Sequence, residues 1–125
     1  MKKYDPSQTP IPDEWLEIDE LLRLESVKQY HQLMSVEFEE GAEELHALIH
    51  VIVENQVALK IEPVQQTINK LIRQGLSRHE SIHAIGAVLS DGIFEMLKNS
   101  QPLDIKKYRN HLDKLTAKRW RKGKW

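Results

Sequence analysis

The chain contains no cysteine. Disulfide staples and thiolate metal sites are therefore excluded, and the absence fits a reducing compartment. It also lacks any apolar run near the roughly 20 residues needed to cross a bilayer. Lys2 and Lys3 stand near the start, but no apolar stretch follows them, so the N-terminus does not read as a secretory signal. The expectation is a cytoplasmic protein with no membrane association. No segment alternates with the period of a strand. There is no Gly-rich phosphate loop and no cysteine nucleophile, and no serine stands out as a triad member. At 125 residues, the chain suffices for one domain with its own core.

What is present is helical periodicity. Residues 1–12, with Pro6, Pro10 and Pro12, predict an extended N-terminal arm. A first helix is expected from about Asp13, with Trp15, Ile18, Leu21, Leu22, Tyr30, Leu33 and Met34 at helical spacing and a break around Leu24 to Ser26. A second is expected from about Glu39 to Leu59. Leu45, Leu48, Ile49, Ile52, Gln56 and Leu59 share one face of it, and Val51, Val53 and Val57 spread apolar character around the cylinder, which predicts a central position. Pro63 opens a third helix that Gly75 closes. Ser77 and Glu80 form a capping-box pattern at the start of a fourth, which runs to about Asn99 before Pro102. A fifth spans about Leu103 to Ala117. The prediction is an all-α fold, a compact bundle of about five helices within a single domain at 13–117, followed by a basic tail at 118–125.

The formal net charge of -1 conceals two poles. Residues 1–105 carry a balance of -9, and residues 106–125 carry +8. Lys106, Lys107, Arg109, Lys114, Lys118, Arg119, Arg121, Lys122 and Lys124 have the charge to neutralise phosphates, and Trp120 or Trp125 the rings to stack on bases. An acidic protein or nucleic acid is thus a candidate partner for 106–125. The alternatives are a solvated helix end and a tail folded back on its own acidic body. No helix-turn-helix or RNA-module signature accompanies it.

The most pointed feature is a pair of segments, His46-Ala47-Leu48-Ile49-His50-Val51-Ile52 and His79-Glu80-Ser81-Ile82-His83-Ala84-Ile85, which match at four positions. Their 33-residue offset suggests an internal repeat, with the second and fourth helices side by side and parallel. Histidines four apart lie about 40° apart on a helix. Glu54 continues the line of His46 and His50, and Glu43 falls between them in angle. His79 and His83 share a face with Gly86, Ala87 and Ser90, whose small size favours close approach of another helix. Two facing helices so equipped can hold a divalent ion through His46, His50, His79 and His83, with Glu54 as a fifth candidate. Zinc is the first choice and iron or nickel next. With histidines titrating near ~6.5, such an ion would leave as pH falls towards about 5. The competing reading is a metal-free seam of hydrogen-bonded imidazoles.

Two catalytic patterns overlap these residues. His79-Glu80-Ser81-Ile82-His83 fits the H-E-x-x-H of zinc peptidases, in which the glutamate is the general base. The metzincin form needs a third histidine where this chain has Leu89, and Glu95 is the only downstream glutamate for the gluzincin form. Glu43-Glu44-Leu45-His46 and Glu80-Ser81-Ile82-His83 are both E-x-x-H, as in di-iron bundles. That site needs two further carboxylates, Glu54 and one of Glu17, Glu20, Glu25 or Glu62.

The stretch from Leu45 to Leu89 also resembles a bacterial family of short helical proteins known only as a domain of unknown function. The resemblance is carried by His46, His50, Gln56 and Val57, then His79, His83 and Leu89. This chain departs from it in having Glu54 and Asn55 where the family prefers a glutamate directly before the glutamine. The resemblance implies a bacterial source and no known activity. Enzymatic status and oligomeric state stay open at this level, with a non-enzymatic interaction module as the alternative to a metal protein.

Overall fold

A computed structural model describes residues 3–125. Among the described residues there are seven helices and no strand: α1 Pro12–Glu17, α2 Glu20–Leu33, α3 Ala42–Ala58, α4 Val64–Arg73, α5 Arg78–Asn99, α6 Ile105–Lys114 and α7 Ala117–Arg121. The all-α bundle is thus present, with two more helices than predicted. One arises because the expected first helix breaks at Ile18, earlier than Leu24. Ile18 is extended at ψ 134, and the Asp19 side chain then accepts from Leu21 N–H to start α2. The other is α7, whose start is capped by Thr116 accepting from Arg119 N–H.

α3 divides the interior. Val53 and Val57 face a core built with Val64, Ile68, Leu71, Ile82, Ile85, Leu89, Leu112 and Leu115. Ala47, Val51 and Ala58 face a smaller core with Tyr4, Trp15 and Val27. Leu45, Leu48 and Leu59, on the expected apolar face, are exposed instead. So are Leu21, Leu22, Leu33 and Met34 of α2, because the face of α2 turned inward carries Arg23, Ser26, Val27 and His31. Arg23 has a structural task there. Its guanidinium donates to the Leu16 and Ile18 carbonyls at the end of α1 and to Asn55 Oδ1 on α3.

α3 and α5 lie side by side and run antiparallel. Glu54 meets Arg78, His50 meets His83, and Ile49 meets Gly86, so α3 descends as α5 ascends. The parallel arrangement read from the 33-residue offset is corrected here. α4 has only ten residues, or about 15 Å, too little to carry the chain back along α3. Gly86 permits the contact, since a Cβ there would lie 2.6 Å from the Ile49 side chain.

Both ends of the chain return to the body. In the arm, Tyr4 is buried against Trp15 and Tyr30. At the other end Trp120 and Trp125 pack on the larger core and on each other at 5.5 Å. Their indole N–H groups donate to Glu80 at 2.7 Å and Asp91 at 2.6 Å, both on α5. The indoles are thus committed to the protein's own acidic groups, while the lysines and arginines of 118–124 point to solvent. Deleting residues 118–125 should therefore lower the melting temperature by roughly 5 °C or more, measured by calorimetry against the full chain. An unchanged melting temperature would mean that neither indole contributes to the fold.

Candidate metal centre

Five of the six histidines gather where α2, α3 and α5 meet. His31 comes from α2, His46 and His50 from α3, and His79 and His83 from α5. Their rings stack edge to face at centroid distances of 4.3 Å for His79–His83, 4.7 Å for His31–His46 and 4.9 Å for His31–His50. His31, His50, His79 and His83 can each offer one nitrogen such that all four atoms lie within 4.8 Å of one another, a spacing compatible with a metal ion.

Three of the four histidines singled out in the sequence are in that group, and His31 joins them. His46 lies at its edge, with Nε2 at 3.1 Å from His31 Nε2. Glu54 is close by but otherwise engaged. It is 1% exposed and accepts from Arg78 Nη1 at 2.9 Å, Arg78 Nη2 at 2.7 Å and the Tyr4 hydroxyl at 2.7 Å. Arg78 also donates to the Pro6 carbonyl. Glu54 therefore neutralises a guanidinium and reaches the imidazoles only through Tyr4. His31 escapes sequence reading because it has no partner at helical spacing. The one signal is that it shares a face of α2 with Arg23 and Val27.

The hydrogen bonds fix two tautomers. Tyr4 gives its only proton to Glu54, which as a carboxylate can only accept. The Tyr4 oxygen then accepts from His50 Nδ1–H at 3.0 Å, and the His50 Nε2 lone pair points at His83 Nε2, 3.1 Å away. His31 Nδ1–H likewise donates to the Val27 carbonyl at 2.9 Å, which leaves its Nε2 lone pair towards His46. Backbone carbonyls and hydrogen-bonded anions behind the ring are what orient imidazole ligands in metal sites. The 3.1 Å separation of His50 and His83 is also close to the edge of a tetrahedron of metal–nitrogen bonds, about 3.3 Å for bonds near 2.0 Å. Without an ion, His46 and His83 can donate Nε2–H into these lone pairs. No such arrangement serves His79, whose Nε2 is buried with no hydrogen-bond partner among the described residues.

The other overlapping patterns find less support. The Glu80 carboxylate, the general base of the H-E-x-x-H reading, is exposed and holds the Trp120 indole. No carboxylate belongs to the four-nitrogen group, as a di-iron centre would require. Glu43 accepts from Gln32, and Glu44 pairs with Lys28.

No family model, curated protein or solved structure matches the chain. The site must be judged on its own chemistry.

That chemistry is of neutral imidazoles. Burial, then the charge of neighbouring histidines, lowers His46 to about 4 and His83 to about 3, and moves His50 further down still. His79 is lowered mainly by burial, with His31 next. Bare lone pairs therefore persist well below the pH at which free histidine charges, which moves proton competition below the pH of about 5 that unperturbed values imply.

A cleft of about 410 Å³ opens beside the cluster. His46, His50 and His83 form its polar wall, and Phe38, Leu45, Ile49, Ile82 and Trp120 its apolar one. A larger groove, about 850 Å³, lies between the end of α5 and α6, where His111 is the one histidine.

Two outcomes are expected. Replacing Glu54 with Gln strands the buried Arg78 charge and should cost about 3–5 kcal/mol, read from urea unfolding. In the metal-free protein the unfolded state binds more protons below the ordinary histidine value than the folded state does. Stability should therefore fall as pH drops from about 6.5 through the folded values of about 4 and 3, and His50, lowered further still, extends the fall beneath them. A urea midpoint unchanged across that window would show that these imidazoles are not held neutral.

Proposed function

We propose that this protein binds one divalent transition-metal ion through His31, His50, His79 and His83, with zinc the first choice and iron or nickel next. The observation that carries the reading is the buried His79 Nε2. A buried polar nitrogen without a partner is costly, and His79 is one of four histidines that can each bring a nitrogen to ligand spacing. The lone pairs of His31 and His50, oriented from behind by the Val27 carbonyl and by Tyr4, support it. Four imidazoles suit a borderline ion and exclude magnesium or calcium, which demand oxygen. With the Glu80 carboxylate held by Trp120, the ion has a binding role rather than that of a peptidase centre.

Protein purified without a His-tag should carry close to one equivalent of metal by elemental analysis. A strong chelator at pH 7 should lower its melting temperature, because an ion bound only to the folded state at a thousand times its Kd adds about 4 kcal/mol. The variants separate the ligand sets. His31→Ala and His79→Ala should lose both metal and chelator response, whereas His46→Ala should keep them. If no metal co-purifies or can be loaded, and chelation leaves the melting curve in place, the histidines are a structural seam and the reading is wrong.

A further inference from the structure

A divalent ion among four neutral imidazoles keeps its full charge. Of the acidic groups around it, Glu54 is already balanced by Arg78 at 2.7 Å, and Asp5 and Glu80 on the His79 side are exposed to solvent. The centre therefore has an uncompensated double positive charge inside the protein, an expensive condition. It also has one open side. The cleft is walled by His46, His50 and His83 but not by His31 or His79, so the ion is approached from the His46 side. Beyond the imidazoles the cleft holds apolar side chains and the small residues Gly86, Ala87 and Ser90, and no lysine or arginine. Its volume of about 410 Å³ lies in the range of small-molecule sites.

We propose that the ion takes the carboxylate of a small amphipathic acid, whose hydrocarbon body lies in the cleft between α3 and α5. This rests on the metal reading above. The head group supplies the negative charge that the four ligands lack, and imidazole-ligated ions expand from four to five ligands. The body replaces water against Phe38, Leu45, Ile49 and Trp120. A neutral molecule of the same shape would fill the cleft without balancing the ion. An inorganic anion would balance the ion without filling the cleft.

The full chain loaded with cobalt, whose visible absorption reports ligand number, tests this with octanoate, acetate and 1-octanol. Octanoate should change the cobalt bands at concentrations at least tenfold below those acetate needs, since each buried methylene contributes roughly a fourfold factor. Octanol should leave the bands unchanged. Ala87→Phe fills the cleft one turn of α5 beyond His83 without replacing a ligand, so it should take up the same cobalt and lose the preference for octanoate. If cobalt binds but octanoate acts no better than acetate, or Ala87→Phe retains the preference, this inference is overturned and the metal reading stands. Failure of the chain to take up cobalt overturns both.

Discussion

The imidazoles of His46, His50, His79 and His83 share a few ångströms of protein interior, where a proton added to one would be a poorly solvated cation beside the others. Burial first, and the neighbouring histidines next, therefore hold these four against charging. Much of the surrounding structure serves this condition. The Val27 carbonyl and the Tyr4 oxygen accept from the outer nitrogens of His31 and His50, which keeps the inner nitrogens bare. Arg78 faces Glu54, and what remains of its charge at His79 opposes protonation there. Four imidazoles that can bring one nitrogen each within 4.8 Å of the others are the complement of a cation. The same features that exclude protons from the cluster therefore suit it to a metal.

The sequence revealed the parts of this arrangement that are local. Helical period, the Gly75 stop and the Ser77 cap define α4 and α5, and the Ser77 hydroxyl does accept from Glu80 N–H at 3.0 Å. The capping-box pattern also promised a return bond from the Glu80 carboxylate, but that group goes to Trp120, forty residues away in the chain. Spacing of four put His46 beside His50 and His79 beside His83. It was silent on His31, which has no partner of its own within a turn of helix. Glu54 was correctly aligned with His50 along α3, but alignment on one helix carries no information about Arg78 arriving from another.

Burial was the least legible property. Leucines usually mark the inner face of a helix. On α2, however, the inner face carries Arg23, Ser26 and His31, while Leu21, Leu22, Leu33 and Met34 lie outside. A helix that delivers an imidazole and a guanidinium to the interior must turn its polar stripe inward, and its leucines follow to the surface. Amphipathic periodicity is symmetric in this respect: it shows that two faces differ and leaves the choice of inner face to tertiary contacts. The direction of α5 relative to α3 is similar. Two matching heptads suggested a translation, but antiparallel packing sets His50 against both His79 and His83, with ring centroids at 5.2 Å and 5.0 Å.

Tyr4 has a further consequence. It joins the cluster from 46 positions away in the chain, through one hydroxyl that touches both His50 and Glu54. Among the described residues the arm that carries it contains no helix before Pro12, so the arm is held by its tertiary contacts, the buried Tyr4 and the Pro6 carbonyl that accepts from Arg78. Binding at the centre and docking of the arm are then thermodynamically linked. Whatever factor the docked arm contributes to affinity for an ion, the bound ion must return to the docking of the arm. If the centre holds an ion, displacing residues 3–11 would loosen it without touching a ligand.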